Sequence, residues 1–331
     1  PKIGYLSEFA SGMMPISMLR WTGQSDNMQE WFIETGGLLK RLQVLTKLAE
    51  RLRTLHSKGL IYCDLSPNNV FVSCDPKSSH VFLIDLDNLT HKTSILKNIY
   101  TPFYAAPELV NRVAANSMEA DCFSFAVVAY ELLTFNHPLL GDYVHDSEPE
   151  VNNPIKRPTI SKWCDCLYKA LNEIAHCPQC NIHYPLQNSG SCPFCGKEPE
   201  GTIKIQMKRW ERLHHYNKKD NTIVDSFALA PMVFEEIVID KYTTKYIKNS
   251  HFLLPGNPNH PVMQIKVIET DGEEKLVELI PQDITFYVAI DGKEAFYSNK
   301  PKKIRVTGKK HRELVIGIKE LDTPQRVLTI E

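Results

Sequence analysis

The sequence lacks any long apolar run. Its most apolar stretch, residues 123–133, carries Glu131. It also falls well short of the roughly 20 residues that a helix needs to cross a bilayer, so no membrane span is expected. Charge of one sign is lacking too. The chain has 38 Lys and Arg against 39 Asp and Glu, a formal net charge of −1, which argues against a protein that coats itself onto nucleic acid or anionic lipid. Pro1 opens the chain without a basic segment followed by an apolar one, so no signal peptide is expected. An opening at Pro rather than Met points to a fragment. No repeat of solenoid length is visible. What is present, 331 residues of which 43% are hydrophobic and 23% charged, is ordinary soluble-globular usage, and it is long enough for two or three domains, each with its own core.

The nine cysteines do not form a disulfide pattern. Four fall in two C-x-x-C pairs, and Cys63, Cys74, Cys122, Cys164 and Cys166 are scattered. An odd count with a tight paired subset argues against a secreted framework. The scattered five read as thiols in a reducing compartment, and the protein as cytoplasmic.

Periodicity divides the chain into three parts. Leucines at 38, 42, 45, 48, 52 and 55 make one apolar helical stripe, with Lys and Arg expected on the other faces. Gly59 ends that helix. A β-rich stretch follows at residues 60–62, 70–72 and 81–84. A second helix is expected over 120–133, apolar almost all round and therefore buried. A third is expected over 160–175, with Trp163, Leu167, Leu171 and Ile174 on one face. Residues 177–201 are rich in Cys, Pro, Gly, Asn and Gln, which cannot bury a core without another staple. From Thr202 onward the period becomes two: Ile203, Ile205 and Met207 alternate with polar residues. Asp271-Gly272 and Asp291-Gly292 sit between alternating runs and suit the positive φ of a type I′ hairpin turn. Further strands are expected at 303–307, 313–318 and 326–330. The fold class is therefore α+β multidomain, with a mostly helical first part over residues 1–176, a short cysteine segment over 177–200, and an antiparallel β-sandwich or barrel over 201–331.

Three segments of the first part carry chemistry: Tyr62-Cys63-Asp64-Leu65-Ser66-Pro67-Asn68-Asn69, Ile84-Asp85-Leu86-Asp87 and Ala106-Pro107-Glu108. Each alone is weak, since an Asp before a turn is most often a cap. In this order they resemble the catalytic lobe of the eukaryotic-like (Hanks-type) protein kinases. Asp64 and Asn69 match the H-R-D-L-x-x-x-N loop, Asp85 the D-F-G aspartate and residues 106–108 the A-P-E. Asp121 looks like the aspartate at the start of the family's central helix that holds the catalytic loop. Arg157 looks like the late Arg that pairs with the A-P-E glutamate, here Glu108. Residues 4–10 look like the last small-lobe strand running into the hinge. The resemblance covers residues 3–175.

It implies an ATP- and Mg²⁺-dependent serine/threonine kinase. Phosphoryl transfer needs positioning and neutralisation of phosphate charge more than covalent help. Asn69 and Asp85 would hold magnesium as hard oxygen ligands, and Asp64 would accept the proton of the attacking hydroxyl. The backbone of Glu8 and Ala10 would receive the adenine edge, with Phe71 packed beneath the ring. Departures accompany the matches. Cys63 replaces the Arg that waits for a phosphorylated activation loop, so control by such phosphorylation is not expected. Tyr62 replaces a His, a change of packing more than of chemistry. Ser66 stands where many relatives carry a Lys that touches the γ-phosphate, and Asp87 replaces the D-F-G glycine, with its carboxylate expected to face solvent more often than metal. No Gly-rich loop, strand lysine or αC glutamate precedes Gly4, and the distance from Asp121 to Arg157 is short for the family. Missing residues would explain both gaps; a truncated chain would be a pseudokinase scaffold that binds partners without catalysis.

Cys177-Pro-Gln-Cys180, eleven residues, then Cys192-Pro-Phe-Cys195 is a strong signal. Each C-x-x-C makes a knuckle whose thiolates point at one metal, and two knuckles complete a tetrahedral Cys₄ zinc site. Gly190 and Gly196 supply the tight turns, and His176 and His183 are unnecessary as ligands. A redox pair would need a single C-x-x-C at a helix start. A saturated site leaves no open position for catalysis. Lys197 alone is basic in this segment, so nucleic-acid binding by the ribbon is not expected. Residues 201–331 carry 21 Lys and Arg against 18 Asp and Glu, a mild excess best read as a solvated face. A kinase lobe ending in a C-x-x-C ribbon is similar, more loosely, to bacterial kinase-like proteins of the type encoded beside a metal-dependent phosphatase and a von Willebrand A-type protein. That implies signalling, with ribbon and β domain as docking modules and a protein as substrate or partner.

Overall fold

Helix formation around residue 45 is dictated by the leucine stripe and by glycines at both ends. The structure, a computed structural model, describes all residues except 1–10, 22, 24–26, 95–97, 141–152, 187–189, 218–221, 259, 272–273, 291–292, 307–313, 319–323 and 331. The chain splits into two compact units, Pro1–Leu167 and Tyr168–Glu331.

In the first unit, β1 (Met13–Pro15) precedes helices α1 (Met28–Glu34) and α2 (Gly37–Ser57). Gly36, at φ 90°, caps the start of α2 in a left-handed conformation, where a Cβ would meet both Lys40 Cβ and the Pro76 carbonyl at 2.6 Å. Val44, Leu45, Leu48, Ala49 and Leu52 are fully buried, worth roughly 1.5–3 kcal/mol for each large side chain. The expectation that Lys and Arg occupy the other faces of α2 fails at two positions. Lys40 and Arg41 are buried, because each finds partners that pattern alone cannot reveal. The Lys40 ammonium donates to the carbonyls of Ser73, Asp75 and Ser78. The Arg41 guanidinium lies over the rings of Trp31, Phe32 and Phe135 and donates to the carbonyls of Gly37 and Leu19. Burial brings Arg41 down to about 10.

Next come β2 (Leu60–Ile61), β3 (Val70–Ser73), β4 (Val81–Leu83) and β5 (Thr90–His91). Strands β1, β3 and β4 form a three-stranded antiparallel sheet, and β2 pairs with β5. The short helix α3 (Pro107–Val110) is followed by α4 (Met118–Thr134). Two residues longer at its start than the apolar run suggested, α4 begins at the Ser117 hydroxyl, which accepts from the Ala120 N–H at 3.1 Å. Most of it is buried as expected, Phe125 and Val128 completely or nearly so, but Tyr130 and Leu133 are exposed.

Helix α5 (Ile160–Glu173) ends two residues early and turns into β6 (Ile174–Cys177), which pairs with β7 (Ile182–Pro185). Expected helical, Ile174 instead opens this hairpin. Its carbonyl accepts from the buried Lys245 ammonium at 2.5 Å, and Asn172 exchanges two 3.0 Å hydrogen bonds with the backbone of Tyr246.

The rest of the second unit is antiparallel β structure: β8 (Ile203–Asn217), β9 (Thr222–Leu229), β10 (Glu235–Ile239) and β11 (Thr244–Lys248), then the single turn α6 (Asn249–Phe252). After it come β12 (Pro261–Asp271), β13 (Glu274–Pro281), β14 (Phe286–Ile290), β15 (Lys293–Ser298), β16 (Lys302–Arg305), β17 (Leu314–Gly317) and β18 (Gln325–Ile330). Both expected hairpins close, Asp271 opposite Glu274 and Ile290 opposite Lys293. A seven-stranded sheet runs β10-β8-β18-β17-β14-β15 with β9 beside β8, and a four-stranded sheet runs β11-β12-β13-β16. Neither sheet closes among the described residues, so the barrel alternative is corrected to open sheets. Ile203, Ile205, Val288 and Leu328 from the larger sheet share one hydrophobic cluster with Ile247, Ile265, Val277 and Ile304 from the smaller.

Candidate active site and candidate metal centre

The loop between β2 and β3 is built around a buried carboxylate. Asp121, in the first turn of α4, accepts the backbone N–H of Tyr62 at 2.8 Å through one oxygen and that of Cys63 at 3.0 Å through the other; the ring of His56 lies 2.9 Å from the first oxygen. Two N–H groups can point at one carboxylate only if the loop bends sharply between them. Cys63 accordingly sits at φ 77°, a conformation that costs a non-glycine residue of order 1 kcal/mol or more. Asn116 holds the other side, donating to the carbonyls of Cys63 at 3.1 Å and Ile99 at 2.7 Å.

Asp64 follows at once. Its carboxylate accepts from the Thr101 hydroxyl at 2.6 Å and from the Asn69 amide at 3.2 Å, and that amide also donates to the Asp64 carbonyl at 2.8 Å. The Ile84 N–H donates to the Asn69 carbonyl at 3.1 Å, and the buried Tyr62 hydroxyl donates to the Ile84 carbonyl. Tyr62 thus does more than pack: it holds the residue before Asp85. Burial, and then the charges of Asp64, Asp85 and Asp121, push its phenol well above the usual range. Asp85 adopts a left-handed conformation, φ 56°, and its side chain is exposed, as is that of Asp87. Asp64, Asn69 and Asp85 are therefore brought to one end of the β3–β4 hairpin. Phe71 lies half-buried in β3, opposite Phe82 and Pro15. Ser66 is buried, its carbonyl closing a turn with the Asn69 N–H. Glu8 and Ala10 lie outside the described residues, as does the strand expected over 4–10.

Glu108 and Arg157 pair as expected, through bonds of 2.6 and 2.7 Å. Burial works to raise the Glu108 carboxyl, but the Arg157 guanidinium outweighs it and holds the group below its usual range. Sequence reasoning missed Thr101, Asn116 and His56. Thr101, followed by a proline, lies four residues before the Ala-Ala-Pro-Glu run, a local cue. Asn116 and His56 carry no local signal.

With this geometry in hand, comparisons with known proteins are specific. Residues 25–176 match the protein kinase domain family. This segment is a Hanks-type protein kinase domain. It is 36% identical over 96 residues to serine/threonine-protein kinase RUNKEL of Arabidopsis thaliana, which covers 27% of this chain and 7% of that protein. It is 29% identical over 142 residues to serine/threonine-protein kinase pkn2 of Myxococcus xanthus, covering 39% of this chain and 17% of that protein. It is 36% identical over 101 residues to human ribosomal protein S6 kinase alpha-3, covering 29% and 13%. The chain thus spans less than a fifth of the length of these relatives.

The cysteine segment converges independently of the kinase domain. The β6–β7 hairpin carries Cys177 and Cys180 around its turn, while Cys192 and Cys195 return beside them. The four sulfurs lie within 4.8 Å of one another, with the Cys177 and Cys195 sulfurs 3.5 Å apart. The Cys180 N–H points at the Cys177 sulfur at 3.4 Å. Gly190 and Gly196 adopt φ 66° and 73°, as the turns require. Burial works to raise the Cys177 thiol; the Cys180 N–H and neighbouring thiols outweigh it and bring it down to about 7. Four acceptor sulfurs converging on one point, with a backbone N–H stabilising a thiolate, fit a tetrahedral dication. His183 is held down at about 4 by burial and by its neighbours His176 and Lys245, and neither His belongs to the cluster. Among the described residues, no helix is long and apolar enough to cross a membrane.

Proposed function

We propose that the protein transfers the γ-phosphoryl group of ATP to a serine or threonine hydroxyl of a protein. The observation that carries this reading is the Asp64 carboxylate, fixed by Thr101 and Asn69 and hung by its loop from the buried Asp121. Asp64 takes the proton of the attacking hydroxyl. Asn69 and Asp85 hold Mg²⁺, which neutralises charge on the phosphates. Phe71 packs beneath the adenine, and the backbone of Glu8 and Ala10 meets its edge. An ordered carboxylate of this kind contributes about 10²- to 10⁴-fold.

The Cys₄ cluster holds a structural zinc ion, and the two sheets with their shared core form a sandwich that docks a partner in bacterial signalling, consistent with the likeness to a Myxococcus kinase. All nine thiols are free of disulfides, in keeping with a reducing, cytoplasmic setting. The alternative is a scaffold that binds nucleotide without transfer. It draws on Ser66, whose burial leaves no cation where many relatives carry a lysine.

Transfer of labelled γ-phosphate from Mg-ATP by the full-length protein, beside Asp64→Asn and Asp85→Asn, separates the two. Incorporation lost in both variants supports the kinase. ATP binding with no incorporation supports the scaffold.

A further inference from the structure

The segment leading to Thr101 forms one wall of an open depression of about 870 Å³, lined by Asn98, Ile99 and Tyr100 on one side and by residues 112–115 on the other. Both walls are stitched in place. The Asn98 amide donates to the Leu109 carbonyl at 3.0 Å, and Asn116 pairs with Ile99 through both its N–H and its carbonyl. Across the gap, the N–H groups of Val113 and Ala114 donate to the Glu108 carbonyl at 2.9 and 3.2 Å. The site is therefore preformed.

Among the described residues, the only charged side chain lining it is that of Arg112. Arg112 sits at φ 56°, left-handed backbone that a non-glycine residue adopts only when its surroundings impose it. Among the described residues no carboxylate pairs with its exposed guanidinium. The nearest acid in sequence, Glu108, is taken up by Arg157. In a depression it shares with Ile99, Val113 and Ala114, the guanidinium offers a planar fork of donors that fits a carboxylate or phosphate. Tyr100 is covalently next to Thr101, whose hydroxyl touches Asp64. One wall of the depression is thus a single residue along the chain from the group that touches Asp64.

We infer that Arg112 selects substrates bearing an acidic side chain close to the phosphoacceptor. This rests on the kinase reading of the Asp64 site and adds to it the class of peptide.

The test uses the full-length protein and peptides with one serine on a neutral background, each with Glu placed at one position from four residues before the acceptor to four after. Expected is one position at which Glu raises kcat/KM by about five- to tenfold, as one charge-assisted contact at a partly exposed site supplies. Phosphoserine there should do at least as well. Arg112→Gln should bring that ratio close to one, and Arg112→Glu should transfer the preference to Lys at the same position, which a merely structural role would not do. Transfer without any acidic preference, or a preference that survives Arg112→Glu, overturns the inference and leaves the kinase reading standing. Fluorescence anisotropy of the same peptides supplies a readout independent of transfer. Acidic selectivity in binding that Arg112→Glu abolishes supports the inference even if no phosphate is transferred, and loss of both signals overturns it.

Discussion

Glu108 and Arg157 lie 49 residues apart in sequence and meet through two hydrogen bonds of 2.6 and 2.7 Å, with both side chains over nine-tenths buried. A buried carboxylate left without its guanidinium is among the costlier defects a fold can carry. Arg157→Ala should therefore destabilise by about 3–5 kcal/mol in urea unfolding. Arg157→Lys should recover only part, because an ammonium cannot bond both oxygens at once. The pair also sets an acid limit. The Glu108 carboxyl is held below its ordinary value of 4.5, so the unfolded chain takes up the proton first. The stability this pair contributes is present above about pH 4.5 and is lost as pH falls through the folded value. Arg157→Ala should flatten that acid slope, and an unchanged slope would count against the pair.

Thr101 and Asp64 are linked by a single 2.6 Å bond. Thr101→Val should lower kcat for phosphoryl transfer by about tenfold and cost about 1–3 kcal/mol in unfolding, the worth of one hydrogen bond to a charged group. Thr101→Ser should restore most of the rate. If Val and Ser behave alike, the hydroxyl does not orient the carboxylate.

Asp121 anchors the loop that leads to Asp64. Asp121→Asn places an amide NH₂ against two backbone donors, so one of them loses its acceptor in the interior. A loss of about 2–3 kcal/mol in chemical unfolding is expected, together with a fall in transfer rate, since the loop that presents Asp64 loses its anchor. Nucleotide affinity should change less than kcat.

Elemental analysis of the purified protein should find one zinc per chain. Prolonged chelation, or Cys177→Ser, should release the metal and lower the melting temperature, because four converging sulfurs have little else to hold them. Protein free of zinc, with Cys177→Ser unaltered in melting, would remove the metal centre.

Lys245 predicts a second rise of stability with pH, at the alkaline end. Burial brings its ammonium down to about 8, against the pull of Asp240 and Glu173. Between about pH 8 and the ordinary 10.5, the unfolded chain holds a proton that the folded chain has shed, so stability rises with pH across that window by on the order of 3 kcal/mol. Lys245→Met should remove this rise. The comparison is with wild type at each pH, which cancels thiols and phenols that titrate in both.

Much of this protein could be read from residue order alone, for a physical reason: local periodicity and fixed spacing report local geometry. Leucines at steps of three and four specified α2, alternation specified β8, and Asp-Gly pairs specified two hairpins, because side-chain direction repeats every 3.6 residues in a helix and every two in a strand. The spacing from Asp64 to Asn69 and the paired C-x-x-C knuckles likewise placed their side chains together. Tertiary structure decided whatever depends on a partner distant in sequence. Lys40, Arg41 and Lys245 look like solvated charges, yet each is buried because carbonyls or aromatic rings from elsewhere surround it. Ile174 looks helical, yet it opens a strand. His56, Asn116 and Thr101 reach Asp121, Cys63 and Asp64 from three separate segments. No local pattern encodes such meetings, since a hydrogen bond across dozens of residues depends on where the whole chain has packed.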